Sequence, residues 1–213
     1  MIVTLFSGGK DSTYCAHLAG ECTLLTMAPQ REDSYMFHHP NIGLAPQLAE
    51  CMGRDIVVEE TVGEKEKELV DLRRALEELA PEKVFSGAVA SSYQKTRIDN
   101  ICSDLGIESV APLWQKPQEE VLAEELASGM EIIIVGAYAE GLGEEWLGRR
   151  LDEKAADELR GMNLSPVGEG GEFETLVVDA PFFKKRLEVT DSEKKWDGVR
   201  GTYEITGARA VGH

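Results

Sequence analysis

A run of β-forming residues, Ile2 to Phe6, ends directly on Ser7-Gly8-Gly9-Lys10-Asp11-Ser12, and Thr13 to Ala19 then reads as a helix. A strand, a glycine-rich turn and a helix N-terminus in immediate succession make an anion site. Glycines lack a Cβ, so backbone N–H groups can approach phosphate oxygens closely, and the helix dipole adds positive potential at the same point. Lys10 contributes a full charge, and the hydroxyls of Ser7 and Ser12 add donors. An ordinary tight turn at a sheet edge is the bland alternative, against which stand the place of the turn after the first strand and the helix behind it.

Up to about Trp114 the pattern alternates short β-rich runs with helical stretches, the mark of a parallel sheet covered by helices. After Ile2 to Phe6, further strands are expected at Leu24 to Ala28, Asp55 to Glu59, Lys83 to Ser86 and Glu108 to Val110. Leu69, Leu72, Leu76 and Leu79 recur at helical spacing within Glu64 to Ala80, a charge-rich helix expected to be an outer cover. A helix from about Ser91 to Leu105 puts Ile98, Ile101, Cys102 and Leu105 on one face, with Tyr93 and Arg97 in a row beside it that can look toward a ligand. Gln115 to Glu120, with Pro117 and a charge cluster, is the expected boundary between a domain of residues 1–118 and one of residues 119–213. The second part carries a helix to Ser128, a strand at Glu131 to Ala137, a helix near Asp152 to Gly161 and a Gly-Glu-Gly-Gly-Glu turn. Strands at Glu174 to Val178, Leu187 to Lys195 and Tyr203 to Ala210 complete a smaller α+β domain.

The turn is not the GxxxxGK[ST] loop of the common NTPases, because only two glycines precede the lysine and an aspartate follows it. It resembles the SGGxDS motif of the PP-loop ATP pyrophosphatases. That resemblance implies a loop holding the β and γ phosphates as a pyrophosphate leaving group bridged by Mg²⁺. Lys10 and Asp11 are then the catalytic candidates, with Asp11 a partner for the metal, directly or through water, since Mg²⁺ favours carboxylate and phosphate oxygens. Ser7, Gly8, Gly9, Lys10, Asp11 and Ser12 would bind ATP, with the backbone near Met27 and the Gly87 turn as walls for adenine.

Over nearly its full length the chain is similar to one branch of that superfamily, the diphthine-ammonia ligases or diphthamide synthetases. The blocks that carry the resemblance are Asp33-Ser34-Tyr35-Met36-Phe37-His38, Gly87 through Arg97, Ala111-Pro112-Leu113-Trp114, Gly141-Leu142 and Trp146-Leu147-Gly148-Arg149. Above all it rests on Gly168-Glu169-Gly170-Gly171-Glu172-Phe173-Glu174-Thr175 with Asp179-Ala180-Pro181, a long and unusual signature. The family implies a HUP-like parallel-sheet domain. It also implies a reaction in which the carboxylate of diphthine, a modified histidine on translation elongation factor 2, is adenylated by ATP and ammonia displaces AMP. Substrate contacts implied by resemblance are Tyr35, Met36, His38, Tyr93, Gln94, Arg97, Glu140, Glu169, Gly170, Gly171, Glu172 and Glu174.

A carboxylate is a poor acyl electrophile, and an acyl-adenylate supplies the leaving group it lacks, so catalysis is expected to be chiefly electrostatic and positional. Glu169, Glu172 and Glu174 gather three carboxylates in a glycine-rich turn. Solvated turn glutamates are one reading. The other is that they bind the trimethylammonium group of diphthine, together with some of Tyr35, Phe37 and Trp146, or capture ammonium. His38 and His39 are candidate proton carriers or simply loop residues. No glutaminase constellation is visible, which favours free ammonia.

With 22 Lys plus Arg against 39 Asp plus Glu, the formal net charge of −17 repels polyanions, so direct nucleic-acid binding is not expected. Cys15, Cys22, Cys51 and Cys102 form no CxxC pair or metal spacing and read as buried free thiols of a reducing cytoplasm. No targeting or membrane segment is read, and monomer or homodimer stays open. Three rivals remain: a tRNA-modifying PP-loop enzyme, an amide ligase for a small carboxylate, and a nucleotide sensor on the same fold.

Overall fold

A computed structural model of the chain describes residues 1–30, 40–64 and 66–213. Its first sheet is parallel throughout, in the order β3-β2-β1-β4-β5. The strands are β1 (Ile2–Leu5), β2 (Thr23–Pro29), β3 (Ile56–Thr61), β4 (Lys83–Phe85) and β5 (Glu108–Val110). Parallel neighbours cannot be joined by a hairpin, and the crossovers here are α1 (Lys10–Leu18), α2 (Ala45–Met52), α3 (Lys67–Leu79) and α4 (Ser92–Leu105). On one face of the sheet, Leu72, Ala75 and Leu76 of α3 and Ile98, Ile101 and Cys102 of α4 pack on Val3, Leu25 and Val84. The order reverses between β1 and β4, which opens a crevice at their carboxyl ends.

After the turn at Ala111–Trp114 the chain forms α5 (Gln118–Ala127), β6 (Glu131–Ala137), α6 (Glu153–Gly161), β7 (Phe173–Asp179), β8 (Arg186–Trp196) and β9 (Gly201–Val211). The four strands make an antiparallel sheet in the order β7-β6-β9-β8. Both halves bury their apolar residues in one continuous cluster: Phe6, Ala16, Leu24 and Leu48 from the first half meet Ile132, Trp146, Leu176 and Phe183 from the second. The sequence change at residues 115–120 therefore marks a change of sheet type without a break in the core.

The structure differs from the sequence-based expectations in several places. Helix α1 begins at Lys10 rather than Thr13, because Gly9 takes an extended N-cap conformation and its carbonyl accepts the first helical bond from Thr13 N at 3.0 Å. Helix α2 was not expected at all. Pro46 sits in its first turn, where the missing N–H matters little, and Leu48, Ala49 and Met52 are buried. The outer-cover reading of α3 overlooks Glu68, which is fully buried. All four cysteines are free, with Cys22 only half-buried, and burial pushes the Cys51 and Cys102 thiols up to about 11. Among the described residues, no helix is long and apolar enough to cross a membrane.

Candidate active site

The turn from β1 into α1 lies at the switch point and is clamped from both sides. Gly8 adopts φ +84°, a left-handed conformation, and a Cβ there would sit 2.6 Å from Leu48 Cδ1 of α2 and 3.1 Å from Leu176 Cδ1 of β7. Strand β7 also bonds the turn directly: Val177 N donates to Gly8 O at 3.0 Å, and Lys10 N donates to Thr175 Oγ1 at 3.2 Å. Inside the turn, Ser12 Oγ donates to Gly9 O at 3.0 Å and accepts from Ser7 N at 3.2 Å. Ser7 Oγ lies 3.1 Å from Ser12 Oγ and accepts from Gly9 N at 3.3 Å. The two hydroxyls brace the loop as well as facing the crevice.

Two adjoining cavities open there. The first, about 230 Å³, runs from Ser7, Gly9, Asp11 and Ser12 to an apolar end made by Leu25, Met27 and Ile98. The second, about 370 Å³, extends past Tyr93 to the turn Gly168–Gly171. Asp11, Gly87, Gln94, Glu174 and Thr175 line both, so they stand at the junction. Gly87 is needed there for space: a Cβ would come within 2.8 Å of the Asp11 carbonyl carbon and 2.9 Å of Ser12 N. Ser91 caps α4 by accepting from Gln94 N at 3.4 Å, which sets the helix that presents Gln94 and Tyr93.

Lys10 departs from the expected geometry. Its side chain is 1% exposed, and its ammonium lies 2.6 Å from Asp11 Oδ1 and 3.2 Å from Glu125 Oε2, on α5. Burial lowers its pKa, but the two carboxylates outweigh burial and hold it above the usual lysine value. Glu125 is fully buried. Burial and the neighbouring Asp11 carboxylate push it well above the ordinary range, while Lys10 pulls it back. Lys10 lines neither cavity, and among the described residues no lysine or arginine does.

The acidic turn is an organised loop. Glu169 Oε1 accepts from Ala90 N at 2.9 Å, tying the turn to the segment after β4, and burial raises its pKa. Glu172 folds back on its own loop and accepts from Gly170 N at 2.8 Å and Ser165 N at 3.4 Å. Glu174 faces both cavities, while Gly170 and Gly171 line the second. Tyr93 reaches that cavity too, but Arg97 stacks on its ring at 3.5 Å and pairs with Glu66 at 2.6 Å, and does not itself line the wall. Glu140 is exposed and lines neither cavity. Trp146 is 1% exposed, with the Arg149 guanidinium 4.2 Å over its ring, so of the aromatics offered for a cation cage this one is a core residue. Tyr35, Met36, Phe37, His38 and His39 lie outside the described residues.

Sequence reasoning missed Glu125 and Ser86. Glu125 follows Val121 and Leu122 on the buried face of α5, and a charge on an apolar stripe was the available signal. Ser86 is 2% exposed and lines the first cavity, and its hydroxyl has no hydrogen-bond partner among the described residues.

The donor set suits Mg²⁺ bound with a nucleotide. Asp11 is one-third exposed and, like Glu174, lines both cavities, and among the described residues no lysine or arginine lines either.

The family profile described as "Diphthamide synthase N-terminal domain" matches residues 1–109, and "Diphthamide synthase C-terminal domain" matches residues 118–211. The chain is 35% identical over 221 residues to a protein of Schizosaccharomyces pombe named diphthine–ammonia ligase, covering 90% of this chain and 36% of that one. It thus spans about a third of that longer relative. Proteins of the same name from Bos taurus and Homo sapiens are each 31% identical over 223 residues, covering 90% of this chain and 84% of theirs. A solved structure described as a predicted subunit of tRNA methyltransferase from Methanocaldococcus jannaschii has a TM-score of 0.45 and 20% identity over 84% of this chain and 97% of that one, too distant to bear on fold or chemistry.

Proposed function

The chain belongs to the diphthamide synthase family, and from that premise we propose that it is an AMP-forming carbon–nitrogen ligase that amidates diphthine on elongation factor 2. ATP and ammonium are the co-substrates. The observation that carries the reading is the meeting of the two cavities at Asp11, Gly87, Gln94, Glu174 and Thr175. An apolar end suited to adenine and a polar chamber suited to a carboxylate substrate share one wall, where an α-phosphate would meet an attacking carboxylate oxygen.

The parts then have assignable tasks. Met27, Leu25 and Ile98 enclose the base, and the N-terminus of α1 with Gly8 and Gly9 faces the phosphates. Mg²⁺, when bound, would neutralise phosphate charge, with Asp11 as its protein partner directly or through water. The carboxylate oxygen adds to the α-phosphorus, pyrophosphate leaves, and ammonia then attacks the acyl carbon of the adenylate and expels AMP. No protein nucleophile is required, so the chain's contribution is orientation and fixed dipoles. Asp11, Glu169 and Glu174 give the chamber an acidic lining that suits the trimethylammonium group of diphthine or an ammonium ion.

The test is incubation of the pure chain with ATP, Mg²⁺, ammonium and diphthine-bearing elongation factor 2. Release of AMP and pyrophosphate that depends on that factor is expected. Dependence on tRNA or on a small carboxylate instead, or ATP binding without turnover, would replace the proposal by the corresponding rival.

A further inference from the structure

Lys10 stands in the phosphate turn by sequence and behind it in space. Its ammonium is buried between Asp11 Oδ1 and Glu125 Oε2, and it is absent from the walls of both cavities, whereas Asp11 lines both. To reach a phosphate, Lys10 would have to abandon both carboxylates and leave Glu125, at 0% exposure, as a buried acid without its cation. Stripping a buried acid of its cation is costly. Nor is the pair explained as a stabilising device, because an apolar pair of similar volume serves a core at least as well.

The neighbours of Glu125 on its helix, Val121 and Leu122, are themselves fully buried, so α5 presents one polar group to the back of the loop, aimed at Lys10. The ammonium in turn holds Oδ1 of Asp11, a residue that lines both cavities, and the Asp11 carboxylate is close enough to Glu125 to raise that acid's pKa together with burial. A group that binds an outward-facing ligand through a fixed second partner gains orientation from that partner.

We propose that Lys10 and Glu125 form a positioning pair for Asp11, so that Lys10 serves the nucleotide through Asp11 and does not touch phosphate. The inference rests on the nucleotide reading given above. It makes α5, an element of the second half, part of the machinery of the first.

The test is a double-mutant cycle on the full chain: Lys10→Met, Glu125→Gln and both together. ATP binding is followed by calorimetry across a Mg²⁺ series, and each variant is melted thermally. Lys10→Met should weaken ATP binding by about tenfold or more and raise the Mg²⁺ concentration needed for half-saturation. Combining it with Glu125→Gln should restore both to within about threefold of the parent, because the Gln amide can donate to Asp11 and one basic and one acidic group are removed together. A folded double variant as weak as Lys10→Met would overturn the proposal by showing that the lysine charge acts on the nucleotide itself. Unimpaired binding by Lys10→Met would overturn it too, as would a double variant that cannot fold, since the pair would then be a requirement of the core. If only Lys10→Met fails to fold, the comparison of the double variant with the parent decides. A parent chain that binds no ATP refutes the nucleotide reading, and with it any service of the pair to a nucleotide, whereas an overturning outcome above with a parent that binds ATP refutes the pair alone.

Discussion

Gly87→Ala places a methyl carbon where an ideal Cβ lies 2.8 Å from the carbonyl carbon of Asp11, 2.9 Å from Ser12 N and 3.0 Å from Asp11 O. All three atoms are backbone in the first turn of α1, so no side chain can swing aside. Carbon atoms rest at roughly 3.5–4.0 Å, so the segment after β4 and the start of α1 must separate by on the order of 0.7 Å or more. Overpacking of this kind costs about 1–3 kcal/mol of stability. In a chain of this size, each kcal/mol lowers the melting temperature by about 2–4 °C. The effect on chemistry should be larger, since the displaced peptide carries Asp11 at the junction of the cavities, and a shift approaching 1 Å can reduce turnover by about 10²-fold. Thermal melts, calorimetric ATP titration and AMP release measure the three consequences. Gly161→Ala is the control: a Cβ there meets nothing within 4 Å, its φ is not positive, and it should be neutral or slightly stabilising. A Gly87→Ala chain with unchanged melting temperature and ATP affinity would refute the reasoning that this close approach sets the loop.

Trp146→Ala should lower stability by about 3–5 kcal/mol, as for other large buried aromatics, while any folded fraction keeps its affinity for a trimethylammonium-bearing substrate; denaturant melts and binding titrations separate the two. Ser91→Ala, which removes the cap of α4, should cost about 0.5–2 kcal/mol by denaturant melt. It should also loosen ATP binding through Gln94, which lines both cavities. Glu169→Gln tests the raised pKa. As pH rises above the ordinary glutamate value of 4.5, the unfolded carboxylate loses its proton first, so the folded state loses relative stability until its own, higher pKa is passed. The Gln variant lacks that loss, so its melting temperature relative to the parent should increase from pH 4 to pH 8, and a difference that stays flat would contradict the shift.

The parallel sheet and three of its helices were legible because strand and helix periodicities alternate cleanly there, and the phosphate turn because glycine and helix N-terminus leave few other uses for such a sequence. Helix α2 was not legible: Ala45–Met52 is short and begins with Pro46, and its helicity is supported by the packing of Leu48 and Met52 in a core that both halves share. Lys10 illustrates a different limit. Composition and position both point its charge at phosphate, and only the tertiary placement of Glu125, 115 residues later in the chain, turns it the other way. Trp146 shows a related limit, since an aromatic in a functional block looks the same in sequence whether it faces a ligand or the core, and the fold buries it. The acidic turn was read as a group of equivalent carboxylates, whereas the fold gives Glu169 to Ala90, Glu172 to its own loop and Glu174 to the cavities.

The proposed reaction turns a carboxylate on elongation factor 2 into an amide. Mass spectrometry of that factor, purified from cells of the source organism lacking this gene, tests it most directly. The unamidated diphthine form is expected, restored to the amide by returning the gene. Fully amidated diphthamide in the deleted cells would contradict it.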